Sequence, residues 1–292
     1  MRIASYGSFQ EAIAQASCEL EYNSKIVHSA RWQGRDIASK PEMATHEAAH
    51  ISFRVQLPRE ALAEDISILD HLRLDIGPNL PWADDHFEER VNGFPINPGT
   101  QWAKWPYGNS AATFLDSRGK FNHNYMERYW PKLAGLPHAA TVDKKDWHKK
   151  FEEEQHATAD MVMPRHQGIS YNYGDLNDVV KLLAEDPYTR QAYLPVWFPE
   201  DTGGGSKRAP CTIGYHFLMR DGELDITYQI RSCDFIRHFR DDIYLTVRLL
   251  LWVIEQAAKL DDRWKSVVPG KFIMNIQSLH LFRNDYRAAF NK

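Results

Sequence analysis

At 292 residues the chain is long enough to bury a sizeable core, and its 43% hydrophobic and 25% charged content lies in the ordinary globular range, which excludes disordered and fibrous classes. A formal net charge of −4 excludes the broad basic footprint of a nucleic-acid binder, so any phosphate ligand has to meet local arginines. The longest apolar run, Leu249 to Ile254, is far short of a membrane span, and Met1-Arg2-Ile3-Ala4 lacks an apolar signal core.

A soluble protein of a cytoplasm, with no membrane and no direct nucleic-acid partner, is therefore the expectation. Cys18, Cys211 and Cys233 form no CxxC or Cys/His ligand spacing, and His86, His123 and His238 form no HExxH-like pair. Reduced thiols and no metal are expected.

In chain order, Ser8 to Leu20 reads as a short amphipathic helix, with Phe9, Ile13 and Ala16 at helical spacing behind a serine cap. Pro81 to Val91 predicts a second helix, with proline and acids in its first turn, stopped by Asn92-Gly93. Gly93 to Asn124 is loop grammar rich in proline, glycine and asparagine, and it carries Trp102, Trp105 and Tyr107. An aromatic loop of this length borders a site about as often as it serves as a pinned surface.

Asp175 to Glu185 predicts a helix with an aspartate cap, ended by Asp186-Pro187. The period then changes. Ala192 to Phe198, Thr212 to Met219, Glu223 to Ile230 and Lys271 to Ile276 read as strands, with Asp221-Gly222 as a hairpin turn. Asp242 to Leu260 is apolar nearly all round, the pattern of a buried central helix. Thr202 to Lys207 is the only flexible run and is too short for a domain linker. The expected architecture is α+β, one domain over 1–292, with a large mixed sheet packed on a central helix.

Chemistry concentrates in Pro210-Cys211-Thr212 and, one hairpin later, Arg231-Ser232-Cys233-Asp234. A cysteine starting one strand and an arginine ending the next meet at one end of a sheet. There the guanidinium can hold a phosphate and favour a thiolate. Taken alone the signal is weak, because an isolated strand cysteine is more often packing material.

The wording of the stretch is more specific. Pro210, Cys211, Phe217, Asp221, Gly222, Leu224, Gln229, Arg231, Ser232, Cys233 and Asp234 stand at offsets that resemble the nucleotide site of thymidylate synthase. Asp186-Pro187-Tyr188-Thr189-Arg190 resembles the family segment that sends an arginine across a homodimer interface to the partner's nucleotide phosphate. Arg190 takes that role, and Gln191 replaces a second arginine. Ser278 to Asn284 resembles the sugar-binding motif; His280 matches it, but Phe282 replaces its tyrosine.

The good motifs run from about 175 to 284, the nucleotide-site core, with 1–130 as a divergent N-terminal part. In that part the resemblance places Tyr125 beside the reacting ring, Trp105 at the folate, and Glu89 as the catalytic glutamate, with Glu88 its competitor.

The implied reaction is one-carbon transfer from 5,10-methylenetetrahydrofolate to C5 of a pyrimidine nucleoside monophosphate, with Cys211 as nucleophile and Arg190, Arg231, Ser232, Asp234, Asp242 and His280 binding substrate. A thiolate adding at C6 makes C5 nucleophilic, and a carboxyl group moves the protons.

Asp242 falls where the family uses asparagine to read uracil. Asparagine complements the N3 donor and O4 acceptor of uracil, whereas aspartate accepts from cytosine N4 and, protonated, donates to N3. Aspartate is also what the bacteriophage deoxycytidylate hydroxymethylases of this superfamily carry. The bland reading of Asp242 is a cap of the helix expected to begin there.

The chain reaches Lys292 soon after Asn284, where thymidylate synthase continues into a closing C-terminus. This leans the expected product from methyl to hydroxymethyl. Thr212 replaces a histidine, and Arg237-His238-Phe239-Arg240 replaces an apolar turn. The competing readings are a methylase of deoxyuridylate or deoxycytidylate, a non-catalytic nucleotide-binding homologue, and a cysteine hydrolase using His216 or His238.

Overall fold

The computed structural model describes residues 3–59, 66–132, 174–203 and 208–290. Most of the Thr202 to Lys207 run lies outside them. Among the described residues the ten strands are β1 (Ala4–Tyr6), β2 (Lys25–Val27), β3 (Arg31–Trp32), β4 (Arg35–Asp36), β5 (Thr45–Gln56), β6 (Tyr193–Pro195), β7 (Thr212–Arg220), β8 (Glu223–Ile230), β9 (Cys233–Asp234) and β10 (Val268–Phe282). The main sheet has eight strands in the order β1-β5-β10-β8-β7-β6, with β2 added to β5 and β9 to β10.

Strand β10 runs antiparallel to β5 and parallel to β8, which makes the sheet mixed. The fold is α+β, as expected. The β7–β8 hairpin closes through Asp221-Gly222, at φ 52° and 77°. Two consecutive left-handed residues match the right-handed twist of paired strands, so aspartate followed by glycine suits this turn.

The central helix is Phe239–Leu260, and Phe239, Ile243, Tyr244, Val247, Leu249, Leu250, Val253 and Ala257 are fully buried. Each large apolar side chain contributes roughly 1.5–3 kcal/mol by leaving water, before ordering costs. The helix packs on β8 and β10 and against the helices Ile68–Ile76, Trp82–Val91 and Leu176–Glu185. Tyr244 donates to Asp84 (2.6 Å) and accepts from Arg73 (3.1 Å), while Arg248 pairs with Asp84 and Glu88. These ties fix the Trp82–Val91 helix over the N-terminal half of the central one.

The expected helices are present: Ser8 caps Phe9–Cys18, and Asp175 and Asp178 form a capping box on Leu176–Glu185. Other expectations shift. The central helix begins three residues before Asp242, with His238 at its N-cap, so Asp242 is an interior residue whose backbone N donates to His238 O (2.7 Å) and not a cap. Strand β6 is cut to Tyr193–Pro195 because Val196 and Trp197 both turn to Ile213 O. Strand β10 extends to Phe282 because β5 pairs along its whole length, which carries His280 onto a strand. The 93–124 segment stays mostly loop, with short turns of helix at Gln101–Lys104 and Gly108–Ala112.

Candidate active site

Cys211 stands immediately before β7, and Arg231 immediately after β8, at the same end of the hairpin. Arg231 clamps the cysteine segment: its backbone N donates to Cys211 O (2.9 Å), Nε to Pro210 O (2.8 Å) and Nη2 to Ala209 O (3.0 Å). This uses two of the guanidinium's five N–H groups and holds its plane over Trp197 (5.4 Å), leaving Nη1 for a ligand. The pairing expected of Cys211 and Arg231 is thus present, with Arg231 also positioning the nucleophile. Burial pushes the Cys211 thiol up, against the opposing charges of Arg231 and Arg208, while Asp242 and Asp234 push it up further.

Arg208 went unnoticed in the sequence although only Ala209 and Pro210 separate it from Cys211, because it stands outside the matched motif and next to a flexible run. Its guanidinium lies over Phe114 (4.8 Å) and Phe121 (5.8 Å), and its carbonyl oxygen is within hydrogen-bonding distance of His123 Nδ1 (3.2 Å). Among the described residues it makes no ion pair. Burial pulls its proton affinity down, Cys211 and Tyr125 raise it, and Arg231 lowers it as a like charge. Two cations thus flank one thiol.

We expect Arg208→Leu to slow alkylation of Cys211 by iodoacetamide at pH 7.5 several-fold and to move the rate-versus-pH midpoint upward. An unchanged profile would show that the Arg208 charge does not reach the sulfur.

Tyr125 opens the helix Tyr125–Tyr129 behind an Asn124 cap, and its Oη lies 2.9 Å from Thr212 Oγ1, one residue from the nucleophile. The guanidinium of Arg90 sits over the Tyr125 ring (4.0 Å), and Arg90 Nε donates to His86 Nε2 (3.0 Å). Burial holds His86 down at about 4, so it stays neutral and can accept. Arg90 is 5% exposed and forms no salt bridge among the described residues. The charge of Asp242 acts on it favourably.

Asp242 points into the same region one turn inside the central helix. Cys233 Sγ donates to its Oδ2 (3.6 Å), and burial, opposed by Arg90, lifts its carboxyl to about 7. Its neighbour Asp241 is engaged elsewhere, accepting from Asn79 N and Nδ2 (both 2.8 Å).

Glu89 is turned differently. Its carboxylate accepts from Thr100 N (2.5 Å), Thr100 Oγ1 (3.1 Å) and Gln101 N (3.3 Å). These bonds, with His86, hold it below the usual range although burial opposes them. Gly99, at φ 79°, passes so close that any Cβ there would strike this carboxylate. A cavity of about 610 Å³ opens beside Glu89 and Glu88 and includes none of the residues around Cys211. Chemistry, not size, therefore locates the candidate site.

Trp105 stacks on His238 (4.6 Å, 16°) and tilts against Trp82 (6.0 Å), forming an aromatic stack at the start of the central helix. Its buried Nε1 makes no full hydrogen bond among the described residues, though it acts on the Asp241 carboxylate. Asp234 builds the turn into that helix, its Oδ1 accepting from Ile236 N and Arg237 N (both 3.0 Å), and Arg237 bridges it to Asp285 (2.5 Å). His280 pairs with Asp234 across β9 and β10 and sits edge-on to Phe282 (6.0 Å). Burial lowers the His280 proton affinity. Ser232 lies half-buried between Arg231 and Cys233.

Arg190 is exposed and is not brought to this cluster. Tyr193 pairs with His216 and Pro195 with Gly214, so Arg190 precedes the end of β6 that lies farthest from Cys211. Its carbonyl oxygen lies 3.0 Å from His216 Nε2, and His216 is five residues along β7 from Cys211, roughly 16 Å at about 3.3 Å per residue. Among the described residues no His/Cys/Asp/Glu group is arranged to hold a metal ion, and no helix is long and apolar enough to cross a membrane.

Comparison with known proteins adds the following. The family model described as thymidylate synthase matches residues 98–291. A deoxyuridylate hydroxymethyltransferase of Bacillus phage SP01 is 29% identical over 119 residues, 40% of this chain and 29% of that protein. A bifunctional dihydrofolate reductase-thymidylate synthase of Zea mays is 29% identical over 136 residues, 42% of this chain and 24% of that protein. The aligned part is thus less than a third of each relative's length.

Proposed function

Since the chain belongs to the thymidylate synthase family, we propose that it transfers a one-carbon unit from 5,10-methylenetetrahydrofolate to C5 of a pyrimidine nucleoside monophosphate. In this reading the base is cytosine, the product is 5-hydroxymethyl-deoxycytidylate, and Cys211 forms the covalent adduct. The observation that carries the reading is the convergence on one thiol of two arginines, Arg231 and Arg208, with Tyr125 and Asp242.

The chemistry follows from that arrangement. The Cys211 thiolate adds to C6, and the electron pair displaced onto C5 attacks the methylene carbon of the folate. C5 then gives up its proton, and tetrahydrofolate leaves with the C–N bond pair, producing an exocyclic methylene. Water adds to that carbon and Cys211 is expelled, so the sequence is redox-neutral and tetrahydrofolate is the folate product.

In this scheme Arg231 and Ser232 take the phosphate, His280 and Asp234 the sugar side, and Asp242 the base edge. Tyr125 stands at the ring, and Glu89 manages protons there when released from Thr100 and Gln101. The aromatic stack of Trp105, His238 and Trp82 is where a flat pteridine ring would find aromatic partners.

A second reading is deoxyuridylate as substrate. One observation favours it besides the phage relative: a carboxyl lifted to about 7 is partly protonated at neutral pH and then offers both a donor and an acceptor. That pair also fits uracil O4 and N3–H. Both readings are tested by incubating the protein with methylenetetrahydrofolate and each nucleotide, then weighing the product. A mass gain of CH2O with tetrahydrofolate supports hydroxymethylation. A gain of CH2 with the absorbance of dihydrofolate shows a methylase.

We also propose a homodimer in which Arg190 serves the partner's phosphate, supported by its exposure and its distance from its own Cys211. Mixed Arg190→Ala and Cys211→Ala proteins, each inactive, should regain up to about a quarter of wild-type activity, because one hybrid site keeps both residues. A monomer in solution, or no rescue with proven subunit exchange, defeats the dimer.

A further inference from the structure

Three hydroxyl groups stand in line beside the nucleophile. Tyr228 Oη lies 2.9 Å from Thr212 Oγ1, and Thr212 Oγ1 lies 2.9 Å from Tyr125 Oη. We propose that Thr212, driven by Tyr228, is a positioning residue that fixes the Tyr125 hydroxyl as a hydrogen-bond donor to the pyrimidine held over Cys211. The proposal rests on the reading of this site as a pyrimidine nucleotide site.

The direction of the chain follows from counting protons. Each hydroxyl carries one hydrogen and can accept at its lone pairs. Tyr228 is 1% exposed, and among the described residues Thr212 is the only hydrogen-bond partner of its Oη. A buried O–H without an acceptor is strongly disfavoured, so Tyr228 donates to Thr212. Thr212, 0% exposed, has one proton of its own, and the remaining neighbour is Tyr125. Thr212 therefore donates to Tyr125.

The Tyr125 proton is then left without an acceptor among the described residues, while its oxygen already accepts from Thr212. The phenolic hydrogen lies in the ring plane, away from the Arg90 guanidinium that covers the ring face at 4.0 Å, and is free to meet a ligand acceptor. Burial and the charges of Asp242 and Cys211 push the Tyr125 hydroxyl well up, which keeps it a donor throughout the working pH range. The stacked pair Tyr215–Tyr228 (5.0 Å, 12°) holds the far end of the chain rigid. Threonine, where the family pattern has histidine, is small enough to fit between two phenols and has one proton to pass on.

The test is a double-mutant cycle. Thr212→Val keeps the shape and deletes the hydroxyl, Thr212→Ser keeps the hydroxyl, and Tyr125→Phe removes the group acted upon. Wild-type turnover of cytidylate and uridylate is measured first and judges the proposed function separately. If there is turnover the cycle is read on kcat/KM, and if there is none it is read on nucleotide dissociation constants. Thermal melting confirms that each variant is folded, and Tyr228→Phe/Thr212→Val replaces Thr212→Val should the orphaned phenol destabilise it.

Expected are a loss of at least tenfold in Thr212→Val, recovery to within threefold in Thr212→Ser, and no further loss when Thr212→Val is added to Tyr125→Phe. Additive losses, or a serine variant as poor as the valine one, overturn the relay while leaving the proposed function standing. No turnover with a non-additive binding cycle removes the function and keeps the relay. A protein that binds no pyrimidine nucleotide removes both.

Discussion

Replacing Cys211 by alanine is expected to lower turnover by at least about a thousandfold, since it removes the covalent route and not merely a contact. The fold should survive. Cys211 is only half-buried, and the strand that follows it is held by the β7–β8 ladder from Thr212 onward. Nucleotide binding should survive as well, because Arg231 is anchored on the carbonyl oxygens of Ala209 and Pro210 and not on the sulfur.

Cys233→Ser makes the discriminating control. That thiol is 1% exposed, and burial with nearby carboxylates pushes it far up, so it is a poor thiolate. Its contact to Asp242, beside a longer one to Asp234 O (4.0 Å), predicts a modest change in base preference and not a loss of chemistry. Mass spectrometry of the protein with a 5-fluoropyrimidine nucleotide and folate should show an adduct with wild type and Cys233→Ser, and none with Cys211→Ala. Equal loss of turnover in both cysteine variants would mean that the wrong thiol carries the reaction.

Asp242→Asn is expected to move the ratio of cytidylate to uridylate kcat/KM by at least about tenfold toward uridylate, a difference of about 1.4 kcal/mol. The physical reason lies in the basicity of cytosine N3. A carboxyl that shares its proton with N3 gains a charge-assisted pair while accepting from N4, whereas uracil has no basic nitrogen there. An amide makes only neutral bonds to either base, so the cytosine advantage disappears.

The pH dependence carries a sign that can be checked. Asp242 titrates at about 7 in the folded chain. Above that pH the empty site is ionised and cytidylate binding must take up a proton, so wild-type kcat/KM for cytidylate should fall as pH rises, with no such fall from this group in the asparagine variant. Stability follows the same proton. The folded pKa lies above the unfolded value of 3.8, so the stability associated with this group is fully present below about pH 4 and is lost as pH rises through 7. The asparagine variant should therefore gain in melting temperature relative to wild type across that window. If the nucleotide ratio does not change in Asp242→Asn, the cytosine assignment fails whatever the melting curves show.

Periodicity and turn chemistry are local, and what depends on them was legible in the chain itself. Asp221-Gly222 dictates a hairpin, the hairpin brings Cys211 and Arg231 to one end, and the apolar register from Ile243 to Ala257 dictates a central buried helix. Strand β5 was not legible. Its letters Thr-His-Glu-Ala-Ala-His lack alternation, and His50 takes φ 60°, so its strand character comes from pairing with β10 and not from its own sequence.

Side-chain direction was undetermined in the same way. The helix pattern of Pro81 to Val91 does not say that Glu89 faces the Thr100 loop while Arg90 faces Tyr125. That is decided by how Tyr244, Arg248 and Arg73 anchor the helix through Asp84. Arg208, Thr212 and Tyr228 gain meaning only when β7, β8 and the 114–125 loop meet. A charge or a hydroxyl acts through distance in space, and sequence separation carries that distance only within one turn or one hairpin.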